Sequence, residues 1–130
     1  MMISVYSKQL WGKINPSADG LVPCISQDHE SGTVLMMAWV SKEALEKTLQ
    51  TGWATFWSRS RTAIWTKGET SGNRQKVEEI RVDCDGDTLL YRVRPEGPAC
   101  HLKTDTCFSE VWRENDWVWS PEIVKIITPK

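Results

Sequence analysis

Residues 77–84 alternate, with Ile80, Val82 and Cys84 opposed to Glu79, Arg81 and Asp83, and Asp85-Gly86 comes directly after. Period-two alternation marks a strand with one face on a core and the other in water. An Asp-Gly pair supplies the tight turn that sends such a strand back, so Thr88–Arg94 is expected as its antiparallel return.

The rest of the chain reads around that hairpin. Leu21–Asp28 is a strand, His29-Glu30-Ser31-Gly32 a turn, and Thr33–Val40 a second apolar strand, giving another hairpin. Ser41 is placed to cap a helix from Lys42 to about residue 50, with Ala44, Leu45 and Leu49 on one side and Gly52 to end it. Trp53–Ser58 and Ile64–Lys67 are short strands, Lys67–Gln75 is a loop, and Pro95, Gly97 and Pro98 break the next stretch. The sum is an α+β fold, mostly antiparallel strands with one or two short helices. A chain of 130 residues suits a single domain, with a core over 22–108 and a C-terminal extension over 109–130.

A net charge of −1 argues against a nucleic-acid partner, which leaves a basic footprint, but not against a small anionic ligand. No apolar run approaches the roughly 20 residues that span a bilayer, so no membrane role is expected. Met1–Trp11 lacks the pattern of a secretory signal, and the expected location is cytoplasmic. The cysteines are then read as thiols rather than disulfides. Trp accounts for 8 residues, most of them expected in core and interface packing.

Several clusters carry possible chemistry. Cys84, Cys100 and Cys107 offer three thiolates, the number that leaves a fourth zinc position open for water in a catalytic site. Their spacing is not a zinc knuckle, and small buried cysteines account for it as well. Asp83, Asp85 and Asp87 offer oxygen ligands to a hard cation or form a solvated acidic turn. If the strand stays regular through Asp85, alternation sends Asp83 and Asp85 away from Cys84, which points to separate sites. Ser58-Arg59-Ser60-Arg61 and Lys67-Gly68-Glu69-Thr70-Ser71-Gly72-Asn73 combine Arg forks with Gly, Ser and Thr, suiting an anion cradle or an ordinary basic surface loop. His101, next to Cys100, is either a base at neutral pH or a structural residue. His29 is expected exposed, and Cys24 is expected to pack as a small hydrophobe.

The blocks occur in a familiar order. Trp57-Ser58-Arg59-Ser60-Arg61, Trp65-Thr66-Lys67-Gly68-Glu69-Thr70-Ser71-Gly72-Asn73, Asp83-Cys84-Asp85-Gly86-Asp87, Gly97-Pro98-Ala99-Cys100-His101 and Cys107-Phe108 closely resemble the phosphoribosyl-AMP cyclohydrolases of histidine biosynthesis. Leu35-Met36-Met37-Ala38 and Glu43-Ala44-Leu45 extend the resemblance toward Val22.

The resemblance implies hydrolytic opening of the adenine ring of 1-(5-phosphoribosyl)-AMP between N1 and C6, giving a formimino-aminoimidazole carboxamide ribonucleotide. It implies an intertwined homodimer with active sites at the subunit interface, a zinc ion and a magnesium ion. Carried over, Cys84 from one subunit and Cys100 and Cys107 from the other resemble the zinc ligands. Asp83, Asp85 and Asp87 resemble the magnesium ligands. His101 is then the helper base, while Arg59, Ser60, Arg61, Trp65, Lys67, Thr70 and Ser71 face the phosphorylated substrate. The chemistry is coherent, since alkylation at N1 leaves C6 electron-poor and zinc supplies hydroxide near neutral pH.

The chain also departs from that pattern. Arg74-Gln75-Lys76 is more basic than the resemblance leads one to expect, Trp39 stands where Tyr is more usual, and Val111–Lys130 resembles nothing in the family. No fused pyrophosphohydrolase domain is expected after Phe108. The rival readings are a diverged zinc hydrolase acting on a related purine nucleotide, and a non-catalytic zinc-stabilised dimeric binding module with a closed four-ligand site. A zinc nucleoside deaminase would need an H-x-E…P-C-x-x-C pattern that is missing.

Overall fold

The computed structural model describes residues 8–121. The first residues of the segment read for a secretory signal, 1–7, and the end of the expected C-terminal extension, 122–130, lie outside them. Among the described residues no helix is long and apolar enough to cross a membrane.

The strands are β1 (Val22–Asp28), β2 (Val34–Val40), β3 (Thr55–Ser58), β4 (Ala63–Thr66), β5 (Gln75–Val82), β6 (Leu89–Pro95), β7 (Glu110–Arg113) and β8 (Asp116–Trp119). Helix α1 spans Lys42–Thr51, and residues 8–11 are also helical. The six strands β1 to β6 form one sheet in the order β4-β3-β2-β1-β6-β5, and β7-β8 stand apart as a two-stranded hairpin. Pairing is antiparallel except at β1–β6, where Cys24 faces Leu89 in parallel register. The sheet is therefore mixed, with antiparallel pairing predominant as expected. β1 already pairs with β2 along one edge, and β6 comes in along the other running the same way.

Helix α1 forms where its caps put it. The Ser41 hydroxyl accepts from Ala44 N at 3.1 Å, and Gly52 ends the helix at φ 81°, a left-handed conformation open to glycine. Ala44, Leu45 and Thr48 are its buried face. Thr48 is polar, yet it fits because its hydroxyl donates to Ala44 O at 3.0 Å and accepts from Thr55 N at 3.0 Å. That hydroxyl fastens the helix to β3. Tyr91, Phe56, Leu45, Leu89 and Val22 fill the core between helix and sheet.

The sheet curls on itself. Ala54 N donates to Gln75 O at 2.9 Å and Val77 N to Gly52 O at 2.9 Å, so residues just before β3 meet the start of β5 across the sheet order. The loop after β4 is thereby brought beside the segment that comes after β6.

The hairpin β5–β6 forms as expected, with a shifted span and a register break between Val77 and Glu79. β5 ends at Val82, so the regular alternation through Asp85 does not hold, and Cys84 lies in the exposed turn. Val82 is exposed as well. His29 is half-buried rather than exposed, since its N–H donates to Val93 O at 2.7 Å beside the parallel pair. Cys24 is fully buried, as expected. The Trp residues are less buried than core packing implies: Trp112, Trp117 and Trp119 are exposed, and the other five are half-buried.

Candidate active site

The acidic turn is built by its own hydrogen bonds. Asp83 Oδ1 accepts from Asp87 N at 2.9 Å and from Thr88 N at 3.2 Å, and Gly86 takes a φ of 78° to close the bend. Carboxylate oxygens of Asp83, Asp85 and Asp87 lie within 4.8 Å of one another, all exposed. Such crowding is unfavourable for three charges, and the protonation preferences separate accordingly. For Asp83 desolvation is the largest single effect, but hydrogen bonds from Asp87, Thr88 and Asp85 together outweigh it and hold its carboxyl below the usual range. Hydrogen bonding to Asp83 and Asp85 and their charges raise Asp87. Carboxylates crowded in this way suit a divalent cation, which would relieve the repulsion.

The turn has a support that sequence reasoning missed. Asn15 N donates to Gly86 O at 2.8 Å, and Asn15 Nδ2 donates to Asp85 O at 2.8 Å. A Cβ on Gly86 would stand 2.5 Å from Lys13 O. The segment around Lys13–Asn15 thus clamps the acidic turn from outside the expected core span. An isolated Asn carries no sequence signal for this role.

Cys100 and Cys107 are brought together by the loop between them. Cys100 N donates to Thr104 O at 3.2 Å, Lys103 N to Cys100 O at 2.9 Å, and Cys107 N to Leu35 O at 2.7 Å. Thr106 is buried, and its hydroxyl donates to Val34 O at 2.6 Å while accepting from Phe108 N at 3.0 Å. This pins the Cys107 segment to β2, another contribution the sequence did not advertise. The two thiols touch electrostatically and differ. A backbone N–H from Leu102 leads the effects that lower Cys100, whereas desolvation, reinforced by Cys100, pushes Cys107 up to about 11. Cys84 is exposed in the acidic turn. Among the described residues of a single chain the three cysteines do not form one cluster; the acidic triad is the sole grouping of three or more such ligands.

The basic elements divide. Lys67 donates from Nζ to Ala99 O at 2.7 Å, and its charge favours both thiolates. Arg59 sits at the other end of its hairpin, paired to Asp19 at 3.3 Å and stacked 3.8 Å from the centre of the Trp39 ring. It lines a cleft of about 500 Å³ with Trp57, Ser41 and Lys42, and no cysteine borders that cleft. Ser60 and Arg61 are exposed at the same hairpin tip, where Ser58 Oγ accepts from Arg61 N at 3.2 Å. Trp65 packs against Phe56 with the rings tilted and their centroids 5.3 Å apart. Thr70 and Ser71 are exposed in their loop, and His101 is exposed beside Cys100.

Two motif glycines explain themselves here. Gly68, at φ 80°, lies so close to the backbone of Asn73 that a Cβ would stand 2.3 Å from its carbonyl carbon. A Cβ on Gly97 would stand 2.2 Å from Asn73 Oδ1. The loop carrying Lys67 therefore folds tightly back and leans on the segment that leads to Cys100, helped by Arg74–Glu96 at 3.1 Å. A small cavity of about 220 Å³ opens where Cys100 and Cys107 meet Leu102, Phe108, Ser109, Glu110 and Trp119.

Residues 36–109 match the family described as phosphoribosyl-AMP cyclohydrolase. A phosphoribosyl-AMP cyclohydrolase of Cereibacter sphaeroides (strain KD131) is 54% identical over 99 residues, covering 76% of this chain and 83% of the relative. One from Rhodospirillum rubrum is 58% identical over 99 residues, covering 76% and 69%. One from Micrococcus luteus is 60% identical over 90 residues, covering 69% and 71%.

Proposed function

The chain belongs to the phosphoribosyl-AMP cyclohydrolase family, and we propose that it opens the adenine ring of 1-(5-phosphoribosyl)-AMP by hydrolysis between N1 and C6. The observation that carries the reading is the pairing of Cys100 with Cys107 beside Lys67, with carboxylates gathered separately in the turn that bears Cys84. It favours a hydrolase over a closed binding module, because a cavity stays open at the two thiols.

The donor sets fit the expected ions. Soft thiolates of Cys84, Cys100 and Cys107 suit zinc, and the oxygens of Asp83, Asp85 and Asp87 suit magnesium. Zinc held by these thiolates would supply a hydroxide nucleophile near neutral pH. Because Cys84 lies apart from the other two thiols within one chain, the zinc set is completed by a second copy, which makes the functional unit a homodimer. The separation of the carboxylates from the thiol pair supports two ions rather than one.

Lys67 holds the Cys100 loop through Ala99 and stabilises thiolate charge. His101, exposed next to Cys100, is placed to exchange protons with the attacking water or the departing ring nitrogen. Arg59, Ser60, Arg61, Thr70 and Ser71 offer donors to the two phosphates, with Arg59 exchanging Asp19 for a phosphate when substrate arrives. Trp65 buttresses the loop from the core side. The enzyme works in the cytoplasm, where thiols stay reduced.

Replacing Cys100 with Ala tests the assignment, since zinc content and turnover should vanish together. Subunit mixing tests the shared site. Cys84→Ala and Cys107→Ala chains, each inactive alone, should regain activity when co-refolded, because one of the two shared sites in the mixed dimer is intact. Persistent inactivity in a mixture shown to contain heterodimers would contradict a site split between subunits.

A further inference from the structure

We propose that Trp119, on the hairpin beyond the family-matched segment, is a substrate-positioning residue that stacks on the positively charged, N1-alkylated adenine ring. The inference rests on the cyclohydrolase reading above and names a residue that the family match, ending at residue 109, does not reach.

The hairpin is well made. Glu114 and Asn115 both have positive φ, 49° and 66°, the geometry of a two-residue turn that matches strand twist. β7 and β8 pair from Glu110–Trp119 to Arg113–Asp116. Trp112 meets Trp117 edge-on with centroids 5.3 Å apart. At its open end Ser120 N donates to Ser109 O at 2.7 Å, and Ser109 and Ser120 are buried. The base of the hairpin is thus fixed two residues from Cys107.

This anchoring puts Trp119 on the wall of the cavity that holds Cys100 and Cys107. Yet 54% of Trp119 remains open to solvent. Trp112 and Trp117 on the same hairpin are exposed as well, but neither borders that cavity. Its place on the cavity wall, beside Cys100 and Cys107, is what sets Trp119 apart from them.

The substrate class supplies the complement. Adenine alkylated at N1 carries positive charge over its six-membered ring, the ring that must lie at the zinc site to be opened. An indole is the strongest aromatic partner for a cation and also stacks on bases. Trp119 would favour the N1-alkylated ring over neutral adenine. AMP, which shares the ribose phosphate, would then compete poorly.

Trp119→Ala and Trp119→Phe test this against wild type through zinc per chain, kcat and KM for phosphoribosyl-AMP, and calorimetric binding of N1-methyl-AMP and AMP. Wild type should prefer N1-methyl-AMP. Trp119→Ala should lose that preference and raise KM about tenfold, with zinc unchanged, and Trp119→Phe should retain most of both. Wild-type turnover with KM and preference unchanged in Trp119→Ala would overturn the inference and leave the proposed function standing. Loss of zinc in Trp119→Ala would also overturn it, since the residue would then serve the metal site. Absence of turnover in zinc-loaded wild type would instead strike the proposed function, whatever the variants bind.

Discussion

Lys67 Nζ lies 2.7 Å from the carbonyl oxygen of Ala99, so a side chain expected to meet phosphate holds the loop that carries Cys100. The bond is partly buried, and the ammonium adds to the lowering of Cys100 while partly opposing the desolvation that raises Cys107. Lys67→Met keeps the aliphatic stem and removes the charge. It should weaken zinc binding about tenfold, the lower end of the range for groups that support metal ligands. Competition against a chromogenic chelator measures this, and unchanged affinity would reduce Lys67 to a substrate contact.

Two glycines in the same loop should behave differently. Gly68→Ala drives a Cβ into the Asn73 backbone at φ 80°, where a neighbour cannot move aside. Gly72, at φ 83°, has open space around it. Gly72→Ala should cost about 1 kcal/mol from the left-handed backbone alone, and Gly68→Ala clearly more. Urea unfolding of both variants gives the comparison. Equal losses would mean that the close approach at Gly68 carries no weight.

Tyr91 sets an alkaline limit on stability. Its hydroxyl is buried without a hydrogen-bond partner among protein atoms, and burial, reinforced by Cys24, pushes the phenol well above its ordinary 10.0. A raised folded value favours the neutral form. That stability is fully present below the unfolded pKa and is lost as pH climbs from there through the folded value. Tyr91→Phe should therefore be neutral or stabilising at pH 7, and should move alkaline unfolding, monitored by circular dichroism, to higher pH. A midpoint unmoved by the substitution would relieve Tyr91 of that role.

The cysteines should separate by reactivity. Cys24 is fully buried, and desolvation raises its thiol well above its ordinary value. Cys84, Cys100 and Cys107 are exposed or half-exposed. In native metal-free protein Cys84 and Cys100 should react promptly with Ellman's reagent and Cys107, whose thiol is raised, more slowly, leaving Cys24 until the chain unfolds, and zinc should protect all three. Simultaneous reaction of all the thiols would contradict the buried position of Cys24.

The helix and its caps were legible because Ser41 and Gly52 act locally, and the hairpins were legible because turn residues and alternation act over a few positions. The parallel β1–β6 pair was not, since nothing near Cys24 names Leu89 as its neighbour. Alternation misplaced Cys84 because the chain leaves the strand at Val82, once Asp83 bonds the backbone of Asp87 and Thr88. Candidate ligands were readable as residue types in an ordered series. Their supports, Asn15 under the acidic turn and Thr106 under Cys107, act across the fold through single polar atoms. The β7–β8 hairpin did leave a signal, apolar Val111 and Trp112 against Trp117 and Trp119 around Glu114-Asn115, which turn chemistry alone could have found.

The central claim is zinc-dependent opening of the ring of phosphoribosyl-AMP. The direct measurement incubates purified protein with that nucleotide, with and without a zinc chelator, tracking purine absorbance while bound metal is counted. Ring opening that disappears as zinc is stripped and returns when zinc is restored is the predicted result. Undiminished turnover by protein shown to be metal-free, or an unchanged spectrum with zinc in place, would contradict it.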